Sequence, residues 1–429
     1  MKKIAGQIIA LTKSIFLTEP KSECGYMAQF MVGKRDKFSF CGGIGLSWWY
    51  TKASFKGIEV VASMLVKSKP EFTHCDLESV EQMIQDTLGE VCIDKRIFDP
   101  DMVCLGRKQT LFECKQPINA NDFADIILAE MAANLRNTIS RRCTVYVAPR
   151  VCGSTFSLES QDLSIIAKSD ESAWKALLAK GYQTNGWCPS TGDYSASNKT
   201  AFSWLKYDYV FACEEIGTQK GCKFSSQLKL RRLFSVIFAI TNEQNGHSLA
   251  KSAATPYTPC LQFPEATAKE ATITMSEIGA LVPYYVSDHF LSDTDISSIR
   301  KWFNAAYRLK QDSLGRIEKC AHYINRAMNS DDIEAYVNYY VALDALFGER
   351  GSVELSILNG VKELQIETPM EEKAPWLFDL RNELVHGGSR YIKEWPKYQR
   401  YYRHFDTRPE EDIEKLAFAA LNRAPKILA

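Results

Sequence analysis

Residues 330–348 read Ser-Asp-Asp-Ile-Glu-Ala-Tyr-Val-Asn-Tyr-Tyr-Val-Ala-Leu-Asp-Ala-Leu-Phe-Gly, and they set the architecture of the C-terminal third of the chain. Their apolar side chains fall on nearly every side of a helical wheel, which is typical of a helix buried among others. Ser330 is a good N-cap, and Asp331 and Asp332 follow where the helix dipole favours anions. The stretch predicts the central helix of a bundle, ending at Gly348.

Apolar residues at helical spacing continue on both sides of this helix from about residue 290 to the end. Helices are predicted from Asp295 to about Tyr307 and over residues 314–328 and 352–364. Two more are predicted, one from Pro375, which suits a first helical turn, and one from Thr407, whose partner Glu410 would complete a capping box. Short links between these helices predict an all-α antiparallel bundle over residues 291–429.

Residues 1–290 carry strand and helix signals in alternation. β-branched and aromatic content predicts strands at 38–50, 57–66, 144–147, 202–205 and 209–211, and apolar spacing predicts helices at 76–88, 121–135 and 228–240. The fold class is therefore α+β, a mixed N-terminal region of residues 1–290 followed by the bundle. A further division of the N-terminal region near residue 145 stays open.

Composition limits the class of protein. A chain of 429 residues predicts two or three domains. Because Lys+Arg and Asp+Glu both total 52, any nucleic-acid surface must be a local patch. Thirteen cysteines without a C-x-x-C pair predict reduced thiols in a cytoplasmic protein. No apolar run approaches membrane-spanning length, so no membrane partner is expected.

The residues with the strongest chemical signal are Arg381-Asn382-Glu383-Leu384-Val385-His386-Gly387, which close the helix predicted from Pro375. Arginine stabilises phosphate charge by forked hydrogen bonds, and histidine moves protons near neutral pH. Such a pair can cleave RNA without a metal. A five-residue step leaves Arg381 and His386 roughly 140° apart on a regular helix. A helix that ends at Gly387-Gly388 would free His386 from that direction.

This motif, together with Tyr340-Val341-Ala342-Leu343-Asp344-Ala345-Leu346-Phe347-Gly348, resembles the HEPN superfamily and in particular its Apea-like branch. The resemblance covers roughly residues 295–425. It implies a helical bundle whose R-x(4–6)-H motif is the active site of a metal-independent ribonuclease. Arg381, Asn382 and His386 would be the catalytic residues, and it is the resemblance, not the spacing, that implies their convergence.

The resemblance also implies an activity and partners. The protein would be an endoribonuclease without metal or other cofactor that leaves 2′,3′-cyclic phosphate and 5′-hydroxyl ends. Its substrate would be transfer or messenger RNA, and its context a prokaryotic toxin or antiviral-defence system. The bundle would form a homodimer that joins two motifs, and residues 1–290 would sense or target, with a phage-derived trigger as a candidate partner.

Two positions depart from the family pattern. The family's adenylylated tyrosine stands two residues after the histidine, where this chain has Gly388. The usual glutamate of the central helix corresponds to Asp344, a shorter carboxylate.

The segment from Arg381 to Arg408 is locally basic. It holds seven Lys and Arg against three Asp and Glu, a net charge of 7 − 3 = +4, with aromatic residues between them. Basic groups and aromatic rings suit single-stranded RNA, so we predict that Lys397, Arg400, Arg403 and Tyr391 bind it. Packing of the aromatic residues against the bundle is the open alternative. A second run, of Lys220, Lys223, Lys229, Arg231 and Arg232, fits either an RNA contact or a solvated helix start.

Simpler interpretations stand beside these predictions. His386 would suit a helix C-terminus, with Arg381 paired to Asp379. Arg316 and His322 also match R-x5-H, but they fall in mid-helix and are read as chance. His74, Cys75, Cys92, Cys104 and Cys114 lack the close ligand pairs of structural zinc sites. The alternative function is a non-catalytic HEPN module for dimerisation or for RNA or nucleotide binding, coupled to an unidentified activity of the N-terminal region.

Overall fold

The computed structural model describes residues 2–21, 25–32, 44–148, 151–167, 169–183, 209–245, 251–253, 257–267, 274–279, 281, 284–285, 288–366, 370–385 and 391–429. The chain is a mixed α+β protein with a helical C-terminal region, as predicted. It divides into two compact units, Met1–Arg142 with Glu215–Lys223, and Cys143–Glu214 with Phe224–Ala429. The second unit contains residues on both sides of position 290, so its sheet and its helices belong to one compact body.

The first unit surrounds a small antiparallel sheet with helices. Its elements up to residue 138 are α1 (Lys2–Lys13), β1 (Ile15–Phe16), β2 (Tyr26–Val32), β3 (Ile44–Tyr50), α2 (Lys52–Ser68), α3 (Leu77–Asp86), α4 (Cys92–Asp94), α5 (Pro100–Cys104) and α6 (Ala120–Thr138). The strands lie in the order β1-β3-β2. The predicted helices at 76–88 and 121–135 correspond to α3 and α6.

The predicted strand at Gly57–Val66 is wrong, because these residues lie within α2. The hydroxyl of Thr51 accepts a hydrogen bond from the Ser54 amide, and the Ser54 hydroxyl accepts one from the Thr51 amide, which together form a capping box. The buried residues recur every three or four positions: Ile58, Val61, Ala62 and Leu65. Their spacing indicates a helix, while their β-branched composition suggested a strand.

The second unit is built on a six-stranded sheet. The elements from residue 140 to 291 are β4 (Ser140–Ala148), β5 (Val151–Gly153), β6 (Phe156–Leu158), β7 (Leu163–Ala167), α7 (Glu171–Leu178), β8 (Tyr209–Gly217), α8 (Gln219–Asn245), β9 (Lys251–Ala253), β10 (Tyr257–Pro264), β11 (Thr274–Gly279), β12 (Tyr284–Tyr285) and β13 (His289–Leu291). The sheet order is β11-β10-β4-β8-β7-β6. β9 pairs with β12 and β5 with β13.

Both faces of the six-stranded sheet are covered. Along β8, Tyr209, Phe211 and Cys213 face one core, while Val210 and Ala212 face another that contains Trp174 of α7. The first core also contains α8, whose Phe234 ring lies 4.9 Å from that of Phe211. The helix predicted at Leu228–Ile240 is this helix, and it begins nine residues earlier than predicted, at Gln219.

The C-terminal helices join that same core. They are α9 (Asp293–Ala306), α10 (Gln311–Met328), α11 (Asp332–Phe347), α12 (Val353–Glu363), α13 (Met370–Val385), α14 (Pro396–Phe405) and α15 (Pro409–Ile427). α11 contacts α10, α12, α13 and α15, as the prediction of a central helix requires. No helix in the described part of the chain is both long and apolar enough to cross a bilayer.

Several predicted helix starts need correction. The N-cap of α11 is Asp331 and not Ser330, whose hydroxyl donates to the Arg326 carbonyl in the last turn of α10 at 2.8 Å. α13 begins at Met370, so Pro375 lies inside it and not at its start.

The capping box predicted at Thr407 and Glu410 is wrong. The N-cap of α15 is Arg408, and the Thr407 hydroxyl donates to the Asp412 carboxylate at 2.6 Å. α14 was not predicted as a helix.

Candidate functional site

Arg381 lies near the C-terminal end of α13, held on the surface of the central helix. Its guanidinium lies over the ring of Tyr340 on α11, 5.3 Å from the ring centroid. The Tyr340 ring also meets Phe378 edge to face at 5.3 Å. One turn earlier on α13, the Leu377 carbonyl accepts a hydrogen bond from the Tyr336 hydroxyl at 2.7 Å. These contacts between α11 and α13 position Arg381.

The Tyr340 ring contacts the Arg381 guanidinium, but the Tyr340 hydroxyl makes no described hydrogen bond. The residue is 4% exposed, and its hydroxyl has no hydrogen-bond partner among the described residues. Burial raises the pKa of Tyr340 strongly, Arg381 opposes the shift, and Asp344 adds to it. The phenol therefore stays neutral, and its ring face stabilises the half-buried guanidinium by a cation–π contact.

The charge of Arg381 is not cancelled by any described carboxylate. Nη1 donates to the Asn382 Oδ1 at 3.2 Å, and no described Asp or Glu forms an ion pair with it. The pairing with Asp379 considered above is absent, because Asp379 Oδ1 accepts from Lys397 Nζ at 2.8 Å. Arg381 is thus a positioned, unneutralised cation within the described structure.

Two of the three predicted catalytic residues can be placed. Arg381 and Asn382 are adjacent, half-buried and hydrogen-bonded to each other. His386, with Gly387 and Gly388, lies outside the described residues. Asp344 is half-buried on α11 and makes no described hydrogen bond with Arg381 or Asn382.

A buried polar cluster fixes α13 against the last two helices. Lys373 Nζ donates to the Asp412 Oδ2 at 2.8 Å, and the two residues are 4% and 1% exposed. Oδ2 also accepts from the Tyr401 hydroxyl at 2.8 Å and from Thr407. The lysine, the carboxylate and both hydroxyls are satisfied together, which a buried pair needs if it is to be tolerated. The cluster sets the position of α13, and hence of Arg381.

The predicted RNA-binding residues do not form a single surface. Arg400 and Arg403 lie on one exposed face of α14, at positions i and i+3, while Lys397 is half-buried and paired with Asp379. Tyr391, 62% exposed, lines a depression of about 560 Å³. That depression contains one lysine and six carboxylates, those of Asp331, Asp332, Glu394, Glu410, Glu411 and Glu414. RNA binding at Tyr391 stays a prediction, and the surrounding negative charge is unfavourable to it.

The aromatic residues of this segment mostly pack inside the bundle. Trp395, Tyr398 and Tyr401 are 2%, 4% and 1% exposed, so the packing alternative holds for them. Tyr402, at 43%, is exposed like Tyr391.

A second depression, of about 540 Å³, opens on the exposed face of α14. It is lined by Trp376, Pro396, Gln399, Arg400, Arg403 and His404. The imidazole of His404 stacks on the indole of Trp376, with ring centroids 5.0 Å apart and an interplanar angle of 8°. Trp376, Gln399 and His404 were not predicted as site residues. The spacing of residues 396, 399, 400, 403 and 404 along one helical face would have brought the α14 members together.

The second basic run is largely occupied by internal contacts. Lys220 pairs with Glu78 at 2.8 Å within the first unit. In the second unit, Lys229 donates to the Gln161 carbonyl at 2.9 Å, and buried Arg232 pairs with Glu318. Lys229 and Arg232 are therefore engaged by contacts inside the second unit, while the first turns of α8 are partly exposed, with Phe224 and Leu228 55% and 56% exposed. An RNA contact by this run stays a prediction.

The second R-x5-H match and the candidate zinc ligands do not form a functional site among the described residues. Arg316 Nη1 donates to the Leu346 carbonyl at 3.2 Å, and the buried Nδ1 of His322 has no partner among the described residues. Cys92 and Cys114 are fully buried, and burial raises the pKa of Cys114 to about 11, which disfavours the thiolate that zinc needs. No group of three or more His, Cys, Asp or Glu in the described ranges is arranged to hold a metal ion.

Comparison of the chain with protein-family models, with curated proteins and with solved structures finds no match.

Proposed function

We propose that the protein is a metal-independent endoribonuclease of the HEPN type, with its active site at Arg381, Asn382 and His386. The observation that supports this proposal most is the state of Arg381. A guanidinium that is held on a tyrosine ring, near a helix end, without a described carboxylate partner is ready to bind a phosphate. A purely structural arginine at a half-buried site would be expected to pair with an acidic group.

The chemistry follows from the residue types. His386 would take the proton of a ribose 2′-hydroxyl, and the 2′-oxygen would attack the adjacent phosphorus. Arg381 would stabilise the negative charge that grows on the phosphorane oxygens. The bond to the 5′-oxygen would then break, and that oxygen would leave with a proton from an acid. The products would be a 2′,3′-cyclic phosphate and a 5′-hydroxyl.

One protomer supplies one motif histidine, and acid–base catalysis uses two proton-transfer groups. We therefore propose a homodimer through the C-terminal bundle, in which the second motif supplies the acid. A prokaryotic defence or toxin role, with residues 1–290 sensing a trigger, is the biological context that the resemblance implies for such an enzyme.

The test is incubation of the purified protein with total RNA in EDTA, followed by mapping of cut sites and end chemistry. Wild type should leave cyclic phosphate ends, while Arg381→Ala and His386→Ala should each lower cleavage about 100-fold or more. Arg308→Ala, at an exposed arginine in the same unit, is the matched control. Cleavage that survives in the double variant Arg381→Ala/His386→Ala ends the proposal.

The second candidate function is RNA binding without cleavage. It is favoured by Arg400 and Arg403, which are exposed and make no ion pair with a described residue. Binding of RNA requires no group that transfers a proton. Wild-type protein that binds RNA but never cuts it, in EDTA or in added divalent metal, would favour this candidate over the nuclease.

A further inference from the structure

The depression on α14 has the composition of an anion site. Two of its six lining residues are arginines, and none of the six is a carboxylate. Arg400 and Arg403 are both exposed, and neither guanidinium makes an ion pair or hydrogen bond with any described residue. Three nearby cations are engaged: Lys373 with Asp412, Lys397 with Asp379, and Arg408 with Glu411. The positive charge at this depression is therefore concentrated and available.

The same depression offers a planar aromatic surface. The imidazole of His404 lies parallel to the indole of Trp376, and Phe405 packs against both rings edge to face. A base that stacked next to His404 would extend a pair of rings that is already ordered. Aromatic stacking and arginine contacts to phosphate are the two interactions by which proteins hold unpaired nucleotides.

The surroundings hold this surface in a fixed shape. The opposite face of α14 is anchored by buried Trp395, Tyr398 and Tyr401. Gln399 Nε2 donates to the Lys393 carbonyl at 2.7 Å, which fixes the side chain and leaves its Oε1 as an acceptor. A nucleotide bound here would order mainly the two arginine side chains, because the rings of Trp376 and His404 and the Gln399 amide are already positioned.

We propose that this depression is a subsite for one unpaired nucleotide of an RNA strand. Arg400 and Arg403 bind its phosphate, and its base stacks next to His404, which rests on Trp376. The choice of RNA as the ligand rests on the proposed function. The subsite itself carries out no chemistry, and it holds the substrate strand on α14 while another part of that strand is cut.

The test is fluorescence anisotropy of a labelled, unstructured 2′-O-methyl oligonucleotide of about twelve nucleotides, a length within the range of single-stranded sites. Methylation removes the 2′-hydroxyl nucleophile, so binding is measured without cleavage. Arg400→Ala/Arg403→Ala should weaken binding at least about tenfold and reduce the slope of log affinity against log salt by about 0.7, the value for one lost phosphate contact on a single strand.

Arg308→Ala/Lys310→Ala is the matched control, because it removes the same charge from exposed positions of the same unit. It should bind like wild type. His404→Ala should weaken binding about tenfold with an unchanged salt slope, since stacking releases no counterions. That loss should shrink for an oligonucleotide that lacks its bases.

Binding by Arg400→Ala/Arg403→Ala equal to that of the control overturns the subsite. So does competition by polyglutamate as strong as that by RNA, which would indicate an acidic protein partner. The two proposals fail separately. If wild type binds the oligonucleotide through this site but cuts no natural RNA, the subsite stands and the nuclease falls. If wild type cuts RNA but the arginine variants bind normally, the nuclease stands and the subsite falls.

Discussion

The guanidinium of Arg381 lies 5.3 Å from the centre of the Tyr340 ring, so a residue of the motif helix rests directly on the central helix of the bundle. The sequence motif contains no hint of this partner, which stands 41 residues earlier. The tyrosine supplies a neutral, polarisable surface in place of a carboxylate. A carboxylate would position the arginine equally well, but it would also cancel the charge on which the proposed phosphate binding depends.

Two substitutions of Tyr340 distinguish the contribution of its ring from that of its hydroxyl. Tyr340→Phe removes a buried hydroxyl that has no described partner, so we expect the free energy of unfolding to stay the same or rise by up to about 1 kcal/mol. Tyr340→Leu removes the ring face and should lower both stability and RNA cleavage more than Tyr340→Phe does. Urea denaturation and cleavage assays measure the two effects. A marked loss of stability in Tyr340→Phe would reveal a partner for the hydroxyl.

Arg381→Lys tests whether charge alone is sufficient at this position. A lysine cannot donate two parallel hydrogen bonds to a phosphate, so we expect cleavage to fall about 100-fold, close to the loss in Arg381→Ala. Initial rates on a fluorogenic RNA measure this, with Arg308→Lys as the control. A lysine variant as active as wild type would mean that the fork geometry is unimportant.

The buried pair of Lys373 and Asp412 should be strongly coupled. Lys373→Met leaves a buried carboxylate with only its two hydroxyl donors, so we expect a loss of about 3 kcal/mol of stability. Lys373→Met/Asp412→Leu should cost less than the sum of the single changes, with a coupling of about 1–3 kcal/mol. Chemical denaturation of the four proteins provides the double-mutant cycle. Additive losses would contradict the interaction.

His322 should make the stability of the protein depend on pH. Burial lowers the pKa of His322 below its ordinary value of 6.5, and Arg231 and Arg326 lower it further. Below pH 6.5 the histidine is protonated in the unfolded chain but still neutral in the folded chain. The free energy of unfolding is therefore unaffected by His322 above pH 6.5, and it decreases as the pH falls below that value. We expect His322→Gln to have a flatter profile of unfolding free energy than wild type as the pH falls below 6.5. Superimposable profiles of the variant and wild type would exclude this contribution.

Local patterns were sufficient for much of the bundle. The helix predicted at 314–328 is α10, and its expected inward residues Ile317, Cys320, Ala321, Ile324 and Met328 are all fully buried. Helix starts were less predictable, because a capping residue can bond elsewhere. Thr407 is an example, since its hydroxyl serves the buried Asp412 instead of the first turn of α15.

The candidate site was predictable only in part. Arg381 and Asn382 came from a contiguous motif, whereas Tyr340 and the pairing of Lys397 with Asp379 join residues far apart in sequence. α14 was not predicted as a helix, because the tyrosines and arginines of this segment were interpreted as an RNA-binding surface. Their spacing is that of an amphipathic helix, with aromatic residues buried at 395, 398 and 401 and cations exposed at 400 and 403. It therefore indicated both a helix and an exposed basic face.

The two depressions of the second unit carry opposite charge, six carboxylates with one lysine around Tyr391 and two arginines without a carboxylate on α14. A protein with no net charge can therefore still steer a polyanion. If the protein binds RNA as proposed, an incoming strand would be repelled by one depression and attracted by the other within about 10 Å of the surface at 0.1 M salt, so its angle of approach would be biased. Such steering raises encounter rates most in dilute buffer and fades as counterions accumulate.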